Sequence, residues 1–69
     1  MAAQAQQVLS IIRRPQVETQ TGLSRSSIYS LMASGDFPKC VHIGPRAVGW
    51  IAAEIDAWLA ARIAEREAA

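Results

Sequence analysis

The sequence is poor in the side chains from which metal sites are built. Cys40 is its one cysteine and His42 its one histidine. A lone cysteine excludes an internal disulfide and a cysteine-rich zinc site. Cys40 and His42 together supply too few ligands for zinc. We therefore expect no metal and no cofactor, and a thiol-reducing compartment such as the cytoplasm.

Catalytic motifs are missing as well. The sequence has no glycine-rich phosphate loop and no nucleophile motif. Glu54 and Asp56 lie two residues apart in a predicted helix, so they do not face each other as an acid–base pair would. The sequence predicts that the protein is not an enzyme.

Long apolar runs are also absent. No run reaches the ~18 residues of a membrane span, and residues 1–7 lack the basic and apolar regions of a secretory signal. Sixty-nine residues leave no room for a second core. We interpret residues 1–7 as a flexible tail and residues 8–69 as one small domain.

Charge is divided unevenly along the chain. Residues 1–50 hold five basic and two acidic side chains, a net charge of +3, whereas residues 51–69 have a net charge of −2. A basic body followed by an acidic helix is typical of a protein that turns one face to a polyanion.

The first half of the chain predicts two short helices after an extended lead-in at residues 8–13. Proline is favoured at the first helical position, which predicts a helix over Pro15–Thr21 that Gly22 ends. Ser24 is a strong N-cap residue and predicts a second helix over Arg25–Ser34. Two helices joined through a glycine are typical of a helix-turn-helix unit.

The second half predicts a β-hairpin and a longer helix. Residues 40–43 and 48–51 are rich in β-branched side chains and flank a turn at residues 44–47. Apolar residues then recur with a helical period from Ala53 to about Arg66. The predicted fold is mainly α with a small β-hairpin, a winged helix-turn-helix. We expect the large apolar side chains to form its core, among them Leu9, Ile11, Val41, Ile43, Trp50, Trp58 and Ile63.

The second helix has two unlike faces. Ile28, Leu31 and Met32 share one side, while the other side is small, polar and rich in hydroxyls. Hydroxyls and a helix N-terminus donate to phosphate, and arginine can read guanine edges, so this helix is a candidate for the major groove. A solvated face of an ordinary helix is the alternative interpretation. The candidate recognition residues are Ser24, Arg25, Ser26, Ser27, Tyr29 and Ser30.

A second candidate surface is the hairpin with its flanks. Arg46 lies in the turn, where a basic tip suits a wing that touches phosphate or the minor groove, although exposed turn arginines are common. Arg13 and Arg14 precede the first helix and could add phosphate contacts or simply be solvated. The candidate wing and flanking residues are Arg13, Arg14, Lys39, His42 and Arg46.

Residues 13–58 resemble the AlpA family of phage-type regulators, relatives of excisionases and MerR-like winged helices. The resemblance rests on TGLSRSSIYSLMASGDFPK, IGPRAVGW and EIDAWLAAR, in that order along the chain. It implies a DNA-binding regulator of transcription, or an accessory factor for site-specific recombination of a mobile element. It places the candidate residues of the second helix in the recognition helix and Arg46 in the wing.

The chain departs from the family pattern at four positions. Family members often carry a basic residue at Ser30, His42 and Ile51, and a proline at Cys40. The departures imply weaker binding by one copy and a need for cooperative assembly along DNA.

We expect sequence-specific binding to double-stranded DNA by a cytoplasmic, nucleoid-associated protein of a prophage or integrative element. The alternative is a protein-interaction module whose acidic last helix docks an integrase or a second copy.

Overall fold

A computed structural model describes residues 9–68, and the predicted tail (residues 1–7) and Val8 lie outside the described residues. It contains three helices and a three-stranded antiparallel sheet, which confirms the predicted winged helix-turn-helix. In chain order the elements are β1 (Ile11–Ile12), α1 (Arg14–Thr21), α2 (Arg25–Ala33), β2 (Val41–Gly44), β3 (Ala47–Ile51) and α3 (Ala52–Ala68).

The helix-turn-helix forms where caps and glycines predict it. Proline occupies the first turn of α1, and Gly22 ends this helix in the left-handed region at φ 74°. Three residues later α2 begins behind its cap, Ser24. After α2, Gly35 takes φ 82°, and its amide and that of Asp36 return to carbonyls of the last helical turn. The predicted bounds of α1 and α2 were correct to within one residue at each end, whereas α3 extends two residues beyond its predicted end at Arg66.

The sheet has the strand order β1-β3-β2, so β3 lies in the middle. Ile12 pairs with Trp50 of β3, and His42 of β2 pairs with Val48. A two-residue turn joins β2 to β3, and the register shifts between His42 and Gly44, which marks a bulge. Within the predicted lead-in, Ile11 and Ile12 form a short edge strand.

The core lies between the inner face of the sheet and the three helices. Trp50 and Ile28 are fully buried at its centre, and Trp50 Nε1 donates to the carbonyl oxygen of Pro38 at 3.0 Å. Its buried hydrophobic residues are Ile12, Val17, Ile28, Phe37, Trp50 and Ile55.

Several large apolar residues predicted for the core lie outside it. For the strand residues Ile11, Val41 and Ile43 the reason is alternation: in a strand, neighbouring side chains point to opposite faces, and helices cover only one face of this sheet. Leu9 instead precedes β1, and Ile63 lies in the part of α3 whose residues are all exposed. Trp58 is partly buried instead of central, packs edge-on against Phe37 and donates its indole N–H to the carbonyl oxygen of Asp36 at 2.7 Å. The other misplaced residues are exposed: Leu9, Ile11, Val41, Ile43 and Ile63.

Within residues 9–68, no helix is both long enough and apolar enough to span a membrane.

Gly49 offers a test of how closely β1 approaches β3. A Cβ atom at Gly49 would overlap Cγ2 of Ile11 and lie 3.0 Å from the carbonyl oxygen of Ile12, whereas one at Gly44 would meet only Ala47 at an ordinary 3.8 Å. We expect Gly49→Ala to destabilise the fold by about 1–3 kcal/mol because β1 must move. Urea unfolding should show a lower midpoint for Gly49→Ala, while Gly44→Ala, the matched control, stays near the wild type. Equal midpoints for both variants would contradict this packing.

Candidate nucleic-acid interface

The N-terminus of α2 is a capped and exposed helix end. The amide of Ser27 donates to Oγ of Ser24 at 3.2 Å, and the two hydroxyl oxygens lie 3.1 Å apart. Ser24, Arg25 and Ser26 are all exposed, and Ser27 is half-buried. The cap fixes the start of the helix, whose remaining N–H groups and dipole favour an anion there.

Arg25 begins α2 and stacks on its own helix. Its guanidinium carbon lies 5.5 Å from the centroid of the Tyr29 ring, one turn further along. Tyr29 is 37% exposed and also contacts Trp50, with ring centroids 6.3 Å apart and the ring planes at 64°. Between residues 9 and 68 no carboxylate pairs with Arg25. Its charge is therefore available to a ligand.

The hydroxyl side of α2 lines a shallow groove. Ser26 and Ser30 are exposed on this side, and Ser27 lies beside them. Small side chains let a helix approach a surface closely, and their hydroxyls can donate or accept hydrogen bonds. The residues that line the groove are Leu23, Ser26, Ser27, Ser30 and Leu31.

The hairpin carries its cations at its tip and entrance. Arg46 is exposed in the two-residue turn, and Lys39 is exposed just before β2. His42 is exposed and pairs with Val48, whose side chain packs against the core. Because paired residues point to the same face of a sheet, His42 lies on the face that the helices cover.

Arg13 and Arg14 have partners within the protein. Arg13 Nε donates to the carbonyl oxygen of Val48 at 3.0 Å, which ties the start of α1 to the middle of β3. Arg14 forms an ion pair with Glu18 at 2.6 Å. The guanidinium of Arg13 keeps further donors beyond this bond, whereas the charge of Arg14 is largely balanced by its neighbour.

Acidic side chains are missing from the two elements that carry the candidate residues. No aspartate or glutamate occurs at residues 19–35 or 37–53, which contain all of α2 and the hairpin. Asp36 lies between these stretches and accepts a hydrogen bond from Ser34 Oγ at 2.9 Å. The positive charges of Arg25, Lys39 and Arg46 are thus not offset on their own elements.

The pattern of residues did not reveal which contacts join α2 to the hairpin. Tyr29 was singled out as an exposed recognition residue, but its edge contact with Trp50 links two elements far apart in sequence. The bond from Arg13 to Val48 spans 35 residues and has no local signal. The one available hint was that α2 and β3 each contain an aromatic residue, Tyr29 in the middle of α2 and Trp50 in β3.

Metal ligands do not gather anywhere in the described part of the chain, where no three His, Cys, Asp or Glu side chains form a cluster. Cys40 is half-buried beside an apolar groove near the start of β2.

The fold and this surface define a winged helix-turn-helix, with a capped second helix beside a basic hairpin. Comparison with known families gives a match over residues 10–63 to the family described as the prophage CP4-57 regulatory protein, AlpA. The chain belongs to the AlpA family, and the resemblance inferred from its sequence is confirmed.

The chain is also similar to two individual proteins. It is 46% identical over 56 residues to an uncharacterized protein, ORF88, of Enterobacteria phage P4; the match covers 81% of this chain but 64% of that protein. It is also 41% identical over 58 residues to the DNA-binding transcriptional activator AlpA of Escherichia coli K12, covering 75% of this chain and 83% of the relative. The chain therefore spans just under two thirds of the phage P4 protein.

The cap of α2 can be tested by substitution. We expect Ser24→Ala to lower the free energy of unfolding by about 1 kcal/mol, because the Ser27 amide loses its acceptor. Ser24→Asp should stay near the wild type, since a carboxylate caps as well as a hydroxyl. Ser26→Ala, an exposed change in the same turn, serves as the control in thermal unfolding. A Ser24→Ala variant as stable as Ser26→Ala would contradict the role of the cap.

Proposed function

We propose that the protein is a sequence-specific double-stranded DNA-binding regulator. The N-terminal half of α2 enters the major groove, and the residues that form or support its DNA-facing side are Ser24, Arg25, Ser26, Ser27, Tyr29 and Ser30. The hairpin lies on the backbone or in the minor groove. Arg46, Lys39 and His42 serve there, with Arg13 and Arg14 at the flank.

The observation that carries this proposal is that α2 and the hairpin carry exposed cations and contain no acidic residue. Arg25 and Arg46 are exposed on two elements without a single carboxylate, and small hydroxyl side chains surround Arg25. Double-stranded DNA is a polyanion with a groove about as wide as a helix. Its phosphates would be attracted by the cations, and the small side chains would let α2 approach the groove closely. The same set of side chains supports a binding role for this surface.

Family membership supports a regulatory role. The relative from Escherichia coli carries the name DNA-binding transcriptional activator, and the family description names a prophage regulator. We propose that this chain acts on promoter or recombination-site DNA of a mobile element, in the cytoplasm at the nucleoid. Footprint length separates the two roles: an excisionase that bends DNA should protect several adjacent sites, whereas one short site favours promoter regulation.

The wild-type chain provides the first test. It should retard duplexes enriched from a random-sequence library at lower protein concentration than it retards the unselected library. If no duplex is retarded even at low salt, DNA binding is ruled out.

Arg25 should carry sequence discrimination. We expect Arg25→Ala to weaken binding to the enriched duplex by about 1–3 kcal/mol, because a bidentate contact to guanine would be lost. Binding to random duplex should fall much less. Arg66→Ala is the matched control, since Arg66 is 76% exposed near the far end of α3. Fluorescence anisotropy titrations measure both affinities, and an unchanged preference in Arg25→Ala contradicts the recognition-helix assignment.

Arg46 should behave differently. We expect Arg46→Ala to reduce affinity for enriched and random duplexes alike, and to flatten the plot of log affinity against log salt by about one unit of slope. Titrations over a salt series measure this slope. A loss confined to the enriched duplex would mean that Arg46 reads bases and does not contact phosphate.

One observation favours a second candidate function. Residues 60–67 of α3 are all exposed, including Ile63 at 52%. Isolated helices of this length are marginal in water, so a protein partner such as an integrase or a second copy could cover this half of α3. If the wild type retards DNA and sediments as a monomer, DNA binding is favoured over the protein-interaction role.

A further inference from the structure

We infer that Tyr29 is a positioning residue for Arg25, and that Trp50 of β3 fixes Tyr29 in turn. The inference rests on the proposed function and deepens it. It identifies the contacts by which β3 fixes the position of Arg25, the arginine of α2 that we propose contacts bases. We call Arg25, Tyr29 and Trp50 the aromatic clamp.

Trp50 is the fixed end of the clamp. It is fully buried, its backbone is paired with Ile12 of β1, and its indole N–H is held by the Pro38 carbonyl at 3.0 Å. A side chain held by strand pairing, packing and a hydrogen bond has one rotamer available. The surface that Trp50 offers to α2 is therefore rigid.

Tyr29 connects the buried Trp50 to the surface of the protein. Its ring meets Trp50 at 6.3 Å and 64°, which is an edge-to-face arrangement within the range of favourable aromatic pairs. The ring is 37% exposed, so it forms the boundary between the core and solvent. Among the described residues, no hydrogen bond involves the Tyr29 hydroxyl. The contacts of Tyr29 with Trp50 and Arg25 are therefore made by its ring.

Arg25 lies over the ring at the other end. Its guanidinium carbon is 5.5 Å from the ring centroid, within the range of a cation–π contact, and no carboxylate of residues 9–68 competes for it. A long arginine side chain that is already ordered loses less conformational entropy when it binds. The clamp thus favours the guanidinium position from which Arg25 can reach a base edge.

The test is a double-mutant cycle between Arg25 and Tyr29. Tyr29→Leu keeps an apolar side chain against Trp50 but removes the aromatic face, and Tyr29→Phe keeps the face and removes the hydroxyl. We expect Tyr29→Leu to weaken binding to the enriched duplex about five-fold, with little change on random duplex, and Tyr29→Phe to restore most of the preference. In the Arg25→Ala background, Tyr29→Leu should have no further effect.

An independent readout needs no DNA. The side-chain protons of Arg25 should show ring-current shifts in the NMR spectrum of the wild type and of Tyr29→Phe, and lose them in Tyr29→Leu. Random-coil shifts for Arg25 in the wild type would overturn the clamp, even if Tyr29→Leu did not fold.

The outcomes separate the two claims. A wild type without preference for any duplex removes the proposed function and this inference with it. A selective wild type whose Tyr29→Leu variant is equally selective removes the positioning role alone. If Tyr29→Leu also weakens binding to the enriched duplex in the Arg25→Ala background, and Tyr29→Phe binds as weakly as Tyr29→Leu, then Tyr29 contacts DNA through its own hydroxyl.

Discussion

The burial of Trp50 is the interaction on which the rest of the structure depends. This side chain lies at the centre of the sheet, pairs through its backbone with β1 and is hydrogen-bonded to the loop after α2. A domain this small buries a modest share of its surface, so one large aromatic residue supplies much of its core. Because Tyr29 contacts the same ring, the packing that stabilises the fold extends to the partly exposed middle of α2.

Local chemistry was sufficient to predict the helices. Serine caps and glycines with positive φ act within a few residues, so Ser24, Gly22 and Gly35 could be interpreted correctly without knowledge of the fold. The hairpin was predictable for the same reason, since its turn and its β-branched strands are adjacent in the chain. The family resemblance added the order of these elements and the expected recognition helix.

Burial and long-range contacts could not be predicted in the same way. Ile11 and Ile43 are as apolar as Ile12, but strand alternation directs them to the uncovered face of the sheet, and the sequence does not say which face the helices cover. Gly49 had no local signal, because what requires a glycine there is a side chain from β1, far away in the chain. The role of Arg13 at β3 was hidden for the same reason.

Because α2 and the hairpin carry few cations, the position of each cation is expected to matter for discrimination between DNA sequences. A protein that neutralises few phosphates gains little affinity from counterion release, so its binding to random DNA is weak. Discrimination between sequences must then come from the few groups that reach base edges, and their value depends on how well they are ordered beforehand. Under the proposed function this role falls to Arg25, which is stacked on Tyr29 and has no acidic neighbour on its own helix.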